Sequence, residues 1–248
     1  MKLLPGWLGY LAVTLTCGAA SDDTVVLLHG LGRTSFSMAR LASELRRDGY
    51  NVVNATYASR THSLETLATE WLPAQLPPCS APGRVHFVTH SMGAIVLRMW
   101  VNHAAATGGV PPNLGRVVML APPNAGSEIP DRFGAFPPYR WCTGINGARL
   151  GTAATAAPRA LGGWPLRDGT AASALGIIAG NKPINALLAA TIPLPNDGKV
   201  SVASTHLAGE TAHIVLPYSH TWLAWRSPVI GQVRAFLATG QFIAPQRT

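Results

Sequence analysis

Apolar and polar positions along the chain fall into two alternating rhythms. Residues 24–28, Thr-Val-Val-Leu-Leu, form an unbroken β-rich apolar run, the pattern of a parallel strand covered on both faces. Phe36, Met38, Leu41 and Leu45 then recur at helical spacing up to Asp48, where Gly49 stops the helix. Residues 51–55 predict a second strand. Leu64, Leu67, Trp71 and Leu72 predict a helix that ends at Pro73 or Pro77. Residues 84–89 read as a third strand, and residues 93–106, with Ile95, Val96, Met99 and Trp100, as a helix. Residues 116–121 predict the fourth strand, 174–179 a weaker fifth and 213–216 a sixth. Ser227-Pro228 opens a last helix with Val229, Val233, Phe236 and Leu237 on one face. Strands joined by helices predict an α/β fold with a doubly wound, mostly parallel sheet.

One segment departs from the rhythm. Residues 124–170 are rich in Gly, Ala and Pro and show no clear strand. A connection of that length is functional or carries short helices of its own. It leaves the fourth strand, so the expectation is a cap or lid insertion over the site. Phe133, Phe136, Trp141 and Trp164 within it would form either an apolar acyl pocket or the core of the cap itself.

The chain has 248 residues, enough for one domain, expected over residues 21–248. Apolar residues make up 48% and charged residues 12%, which excludes a disordered chain. The formal net charge of +8 raises nucleic acid as a partner. Yet Arg33, Arg60, Arg84, Arg98 and Arg116 are scattered singly, and only Arg46-Arg47 is dense. Without a basic stripe interleaved with aromatics, no nucleic-acid partner is expected. After Lys2, residues 3–21 carry no charge and end near Gly18-Ala19-Ala20, the layout of a secretory signal peptide over residues 1–20. Export to the periplasm or beyond follows; the alternatives are an uncleaved N-terminal membrane anchor or a cytoplasmic protein whose 8–15 segment packs on the domain. Cys79 and Cys142 fall at opposite edges of the predicted sheet, so no disulfide is expected. The three cysteines give no zinc spacing.

The sharpest chemical signal is Thr89-His90-Ser91-Met92-Gly93, between the third strand and the long helix. A serine on so tight a strand-to-helix turn is lifted above the sheet and stands at a helix N-terminus. The N–H of Met92 there faces developing negative charge. Ser91 is therefore the candidate nucleophile. A second signal, His29-Gly30-Leu31-Gly32, directly follows the first strand. Its glycines allow the backbone to approach a substrate closely.

With these two motifs the chain resembles the bacterial lipase and esterase branch of the α/β-hydrolase superfamily, from about Thr24 onward. It departs at Thr89, where the family usually has Gly. The resemblance implies a minimal α/β-hydrolase fold and ester cleavage through an acyl-enzyme. It also implies a second oxyanion N–H from Leu31 and the chain order serine, acid, histidine. Downstream, His206, His213 and His220 compete for the role of base. Parallel α/β sheets build their sites at the carboxyl ends of strands. His213 begins the sixth strand and His206 precedes it, whereas His220 follows it. For the acid, Asp131 and Asp168 lie inside the expected cap, while Asp197, in Pro195-Asn196-Asp197-Gly198, sits in a turn after the fifth strand. Similar lipases carry the acid in such an Asp-Gly turn. Glu210 is the reserve.

Related lipases often hold a structural calcium near the histidine. Between Gly198 and His220 the chain offers only Glu210 as a carboxylate, so neither metal nor cofactor is expected. The expected partner is a small-molecule ester or lipid, with transient contact to a lipid surface. Thioester and amide cleavage, acyl transfer with the same triad, and a non-catalytic lipid-binding domain on this fold remain alternatives.

Overall fold

The computed structural model describes residues 22–167, 170–171 and 173–244. The expected signal segment 1–20 and Asp168 lie outside the described residues. The main sheet holds β1 (Thr24–Leu28), β2 (Asn51–Val53), β3 (Val85–His90) and β4 (Leu114–Leu120). A two-stranded hairpin of β5 (Leu166–Arg167) and β6 (Thr170–Ala171) follows, and β7 (Leu175–Gly180) and β8 (Ala212–Leu216) complete the main sheet. The strand order is β2-β1-β3-β4-β7-β8, and every pair in it is parallel.

Helices α1 (Ala39–Arg47), α2 (Leu64–Thr66) and α3 (Met92–Thr107) connect the first four strands. The segment after β4 holds α4 (Glu128–Phe133), α5 (Pro137–Thr143) and α6 (Ala157–Ala160). Then come α7 (Ala186–Ala189), α8 (Val202–Thr205) and the C-terminal α9 (Ser227–Thr239). The helix expected from Leu64 widens to a π-turn at Leu67–Trp71 and closes with a 3₁₀ turn at Pro73–Gln75, where proline can donate no backbone N–H.

Alternation along the strands explains the two layers. Val25, Leu27, Val88, Val118, Leu120 and Ile178 pack on one face with residues of α1 and α9. Val26, Leu28, Phe87, Val117, Met119 and Ile177 pack on the other with Ile95, Val96 and Trp100 of α3. The central strands β1, β3 and β7 are therefore buried at every position, whereas the edge strands β2 and β8 are only half-buried. Such a sheet leaves one place for polar chemistry, the carboxyl ends of β1, β3, β7 and β8.

Residues 124–170 carry short helices of their own and divide their aromatics between core and surface. They fold into α4 to α6 and several 3₁₀ turns, then enter the β5–β6 hairpin. Trp164 is buried in the main core, while Phe136 and Trp141 are exposed. Arg98 of α3 fastens this segment from below. Its guanidinium is fully buried and donates to the carbonyls of Asn124, Pro158 and Gly162. No carboxylate faces it in those bonds, and burial lowers its pKa to about 10.

Candidate active site

Ser91 sits between β3 and α3 with φ 55° and ψ −124°, a conformation that non-glycine residues rarely adopt. Its N–H donates to the Leu120 carbonyl at 2.9 Å, and its carbonyl accepts from Ala94 N–H at 3.0 Å. The turn is possible because Gly93 has no side chain: a Cβ there would lie 2.5 Å from the Leu28 carbonyl oxygen. Thr89 occupies a regular strand position and is fully buried, so its branched side chain is compatible with the turn two residues on. Its hydroxyl oxygen, however, has no hydrogen-bond partner.

Three of the residues singled out in the sequence meet here. His220 Nε2 lies 2.9 Å from Ser91 Oγ, and His220 Nδ1 lies 2.8 Å from Asp197 Oδ2. With Nδ1 protonated and donating to the carboxylate, Nε2 is left to accept from the serine hydroxyl. Both His220 and Asp197 are buried. Asp197 is oriented by its own turn, since its Oδ1 accepts from the N–H groups of Lys199 and Val200 at 2.9 and 2.8 Å. An Asp-Gly turn and an acid aimed at a histidine are thus the same structure, one oxygen serving each.

The backbone of His220 is held as well. Its carbonyl accepts a hydrogen bond from His90 Nε2 at 2.9 Å, and its N–H donates to the Asp197 carbonyl at 3.1 Å. Burial, and then the proximity of His220, pushes the pKa of His90 well below its ordinary value. His90 is therefore a neutral strut beneath the site.

The loop after β1 is fixed in a similar way. His29 Nδ1 donates to the Gly30 carbonyl at 2.9 Å, and His29 Nε2 accepts from Tyr57 N–H at 3.1 Å. The two rings stack at 3.9 Å, and the Tyr57 hydroxyl donates to the His29 carbonyl. A histidine that donates at one nitrogen and accepts at the other is neutral, in line with the lowering of its pKa by burial. Gly30 is pressed against the elbow, where a Cβ would lie 3.0 Å from the His90 ring and 3.2 Å from Ser91 Cβ. Neither Leu31 nor Met92 gives its N–H to a protein acceptor among the described residues.

A cavity of about 170 Å³ opens beside Ser91. Its apolar wall includes Leu31, Ile129, Pro130, Leu150, Leu188 and Val200. Residues 124–170 thus supply part of the wall, though through Ile129, Pro130, Tyr139 and Leu150 and not through the tryptophans. Cys142 also lines it as a free, exposed thiol, and Cys79 is free elsewhere.

The competing residues lie apart. Asp131 accepts from Thr152, and Glu210 pairs with His206 at 2.7 Å. His213 bonds Thr205 at 2.8 Å. No cluster of three metal-ligating side chains occurs among the described residues. Sequence reading missed Arg33, Lys199, Tyr57 and Arg98. Two of these had a signal: Arg33 follows the β1 turn by one residue, and Lys199 follows the Asp-Gly pair directly.

Solved structures share this arrangement of strands and helices. The mature lipase BlEst2 of Bacillus licheniformis matches with a TM-score of 0.61 at 18% identity, over 90% of this chain and 94% of that one. The fold is that of the α/β-hydrolases. The metagenomic carboxyl esterase MGS0156 matches with a TM-score of 0.59 at 20% identity, over 89% of this chain and 71% of that one. The type II thioesterase BorB from the borrelidin biosynthetic cluster matches with 0.51 at 16% identity, over 88% and 92%. No protein-family model matches the sequence, and no curated protein is similar to it.

Proposed function

We propose that the protein is a serine hydrolase that cleaves carboxylic esters through an acyl-enzyme on Ser91. The observation that carries this reading is the unbroken chain Ser91–His220–Asp197, at 2.9 and 2.8 Å, ending on a strained serine beside an apolar cavity. Structural likeness to lipases, an esterase and a thioesterase supports the same class.

In the proposed mechanism, His220 Nε2 takes the hydroxyl proton as Ser91 Oγ attacks the ester carbon. The carbonyl π electrons move to oxygen, and the N–H groups of Leu31 and Met92 hold that oxyanion. Asp197 keeps the proton on Nδ1 and stabilises the imidazolium. When the oxyanion collapses, the C–O bond to the alcohol breaks and His220 returns its proton to the leaving oxygen. Water then repeats the sequence on the acyl-enzyme, restoring Ser91 and releasing the acid.

The cavity sets the acyl length. At about 170 Å³ it is close to the ~150 Å³ that accommodates benzene, so acyl chains of about four to six carbons fill it. Each CH₂ buried contributes about 0.8 kcal/mol, roughly fourfold in kcat/KM, until the wall is reached. Residues 124–170 serve as its cover, and Phe136 and Trp141 extend from that cover as an apolar contact for lipid surfaces. The experiment is kcat/KM for p-nitrophenyl esters from acetate to decanoate, with and without an acceptor alcohol. A rise that levels off near hexanoate, lost in Ser91→Ala, is expected. A flat profile would contradict the pocket, and equal activity in Ser91→Ala would contradict the nucleophile.

A further inference from the structure

Two exposed cations stand at the rim of the cavity that the acyl chain would fill, and no part of the mechanism above uses them. Arg33 lies just beyond the β1 turn, and Lys199 follows the Asp197-Gly198 turn. The cavity lining contains no carboxylate. Among the described residues, arginine–carboxylate ion pairs engage Arg47, Arg149 and Arg234, and neither cavity cation forms one. Arg33 reaches only the neutral hydroxyl of Thr221, at 3.5 Å. The nearby Asp197 is committed to His220 and to two backbone N–H groups.

These two charges act on each other and on the site. Lys199 is exposed, with protein atoms packed around part of its side chain. That crowding lowers its pKa, the charge of Arg33 lowers it further, and Asp197 opposes the change. Behind burial and His220, the same two cations also contribute to the low pKa of His90, so their field extends under the elbow. Both side chains are exposed, so solvent screens part of their repulsion, and an anion placed between them is favoured by charge complementarity.

Arg33 lies on the His220 side of the cavity, and Lys199 stands between that side and the wall of residues 124–170, where its carbonyl accepts from Ser127 Oγ at 2.6 Å. Thr221, which Arg33 touches, is the residue after His220, and Lys199 belongs to the turn that orients His220. His220 must face the leaving alcohol to protonate it. The apolar wall of Ile129, Pro130 and Leu150 lies with residues 124–170 and suits the acyl chain. We propose that the alcohol portion of the substrate carries an anionic group, phosphate or carboxylate, which Arg33 and Lys199 bind together. The substrate class is then an acyl ester of an anionic alcohol and not a neutral glyceride. The proposal rests on the ester-cleaving reading and names its substrate.

The test uses three esters of one acyl length: 1-hexanoylglycerol, 1-hexanoylglycerol 3-phosphate and 3-O-hexanoylglycerate. The quantity read is kcat/KM for each charged ester divided by that for the neutral one. At low salt this ratio should be about tenfold or more, and it should shrink as ionic strength rises. The phosphate and carboxylate arms identify which anion is preferred. Arg33→Ala with Lys199→Ala should bring the ratio to near one, while Arg33→Lys should retain most of it; because the ratio is internal to each variant, a partly unfolded preparation cancels out. Binding of the same esters to Ser91→Ala, followed by calorimetry, should give the same order without turnover. A wild-type ratio near one, or a ratio that survives the double substitution, would overturn the proposal. Preferential binding of the charged esters by Ser91→Ala, with no hydrolysis by the wild type, would uphold the anion site and sink the ester-cleaving reading instead.

Discussion

The last strand of the sheet carries a histidine pair at each end, and only one pair meets a serine. At the amino end of β8, His213 stacks on His206 with ring centres 3.8 Å apart, and His206 bonds Glu210 at 2.7 Å. Beyond the carboxyl end, the rings of His220 and His90 lie 4.9 Å apart, and His220 bonds Asp197 at 2.8 Å. A carboxylate on an imidazole is therefore common to both. The His206 side chain is 53% exposed and that of His220 only 5%. In water the first pair is a weak surface interaction. The second is dry, oriented and within reach of Ser91. The difference is one of sheet polarity: the elbow, the β1 turn and the acid turn all follow carboxyl ends of parallel strands, so a nucleophile can meet a histidine at that edge only.

Exchanging the roles of the two histidines is the harshest test of this contrast. His220→Ala should lower kcat on a p-nitrophenyl ester by about 10³-fold or more, while His206→Ala should stay within about twofold. Steady-state assays of both pure variants decide it, and a reversed order would break the comparison. The carboxylates should follow. Asp197→Asn should lose about 10² to 10⁴ in kcat, because the wrong tautomer of His220 is then favoured, and Glu210→Gln should leave kcat nearly unchanged.

Acid should separate the pairs next. Burial lowers the pKa of His90 strongly and that of His213 less. The unfolded chain then binds a proton at these positions before the folded one does. Stability is full above the unfolded value of about 6.5 and falls as pH drops below it toward the folded pKa. His90→Gln keeps an N–H donor but does not titrate, so it should flatten the decline of melting temperature between about pH 6.5 and 5. His213→Gln should flatten it less. An equal effect of the two would remove the distinction. The smallest effect concerns Thr89, whose buried hydroxyl lacks a partner. Thr89→Val should raise stability by about 1 kcal/mol in denaturant unfolding.

These contrasts also show what could be read from residues alone. The sheet was legible because its central strands are buried on both faces and are rich in β-branched and other apolar residues. Ser91 was legible because a strand, a small-residue turn and a long helix adjoin in sequence, and His220 because it follows β8 whereas His213 begins it. The cavity wall was not legible. The aromatics of residues 124–170 left an acyl pocket and a core of the segment itself equally open; Trp164 packs into the core, Trp141 faces solvent, and Ile129, Pro130 and Leu150 line the space. Segments that short and irregular have no period to fix which face turns inward. Arg98 was equally hidden: among apolar neighbours on a helix nothing marks an arginine that will be buried against carbonyls from a segment some sixty residues on. The β5–β6 hairpin, α7 and α8 are each too brief for periodicity to reveal.

The central claim is that Ser91 carries the acyl group. Rapid mixing with p-nitrophenyl butyrate, an acid quench and peptide mass spectrometry test it directly. The account predicts a burst of p-nitrophenol, equal to the concentration of active protein, and a butyryl mass increment on the peptide that contains Ser91. A butyryl group on another residue, or steady turnover by the wild type with no burst and no adduct under conditions where deacylation is slowed, would contradict it.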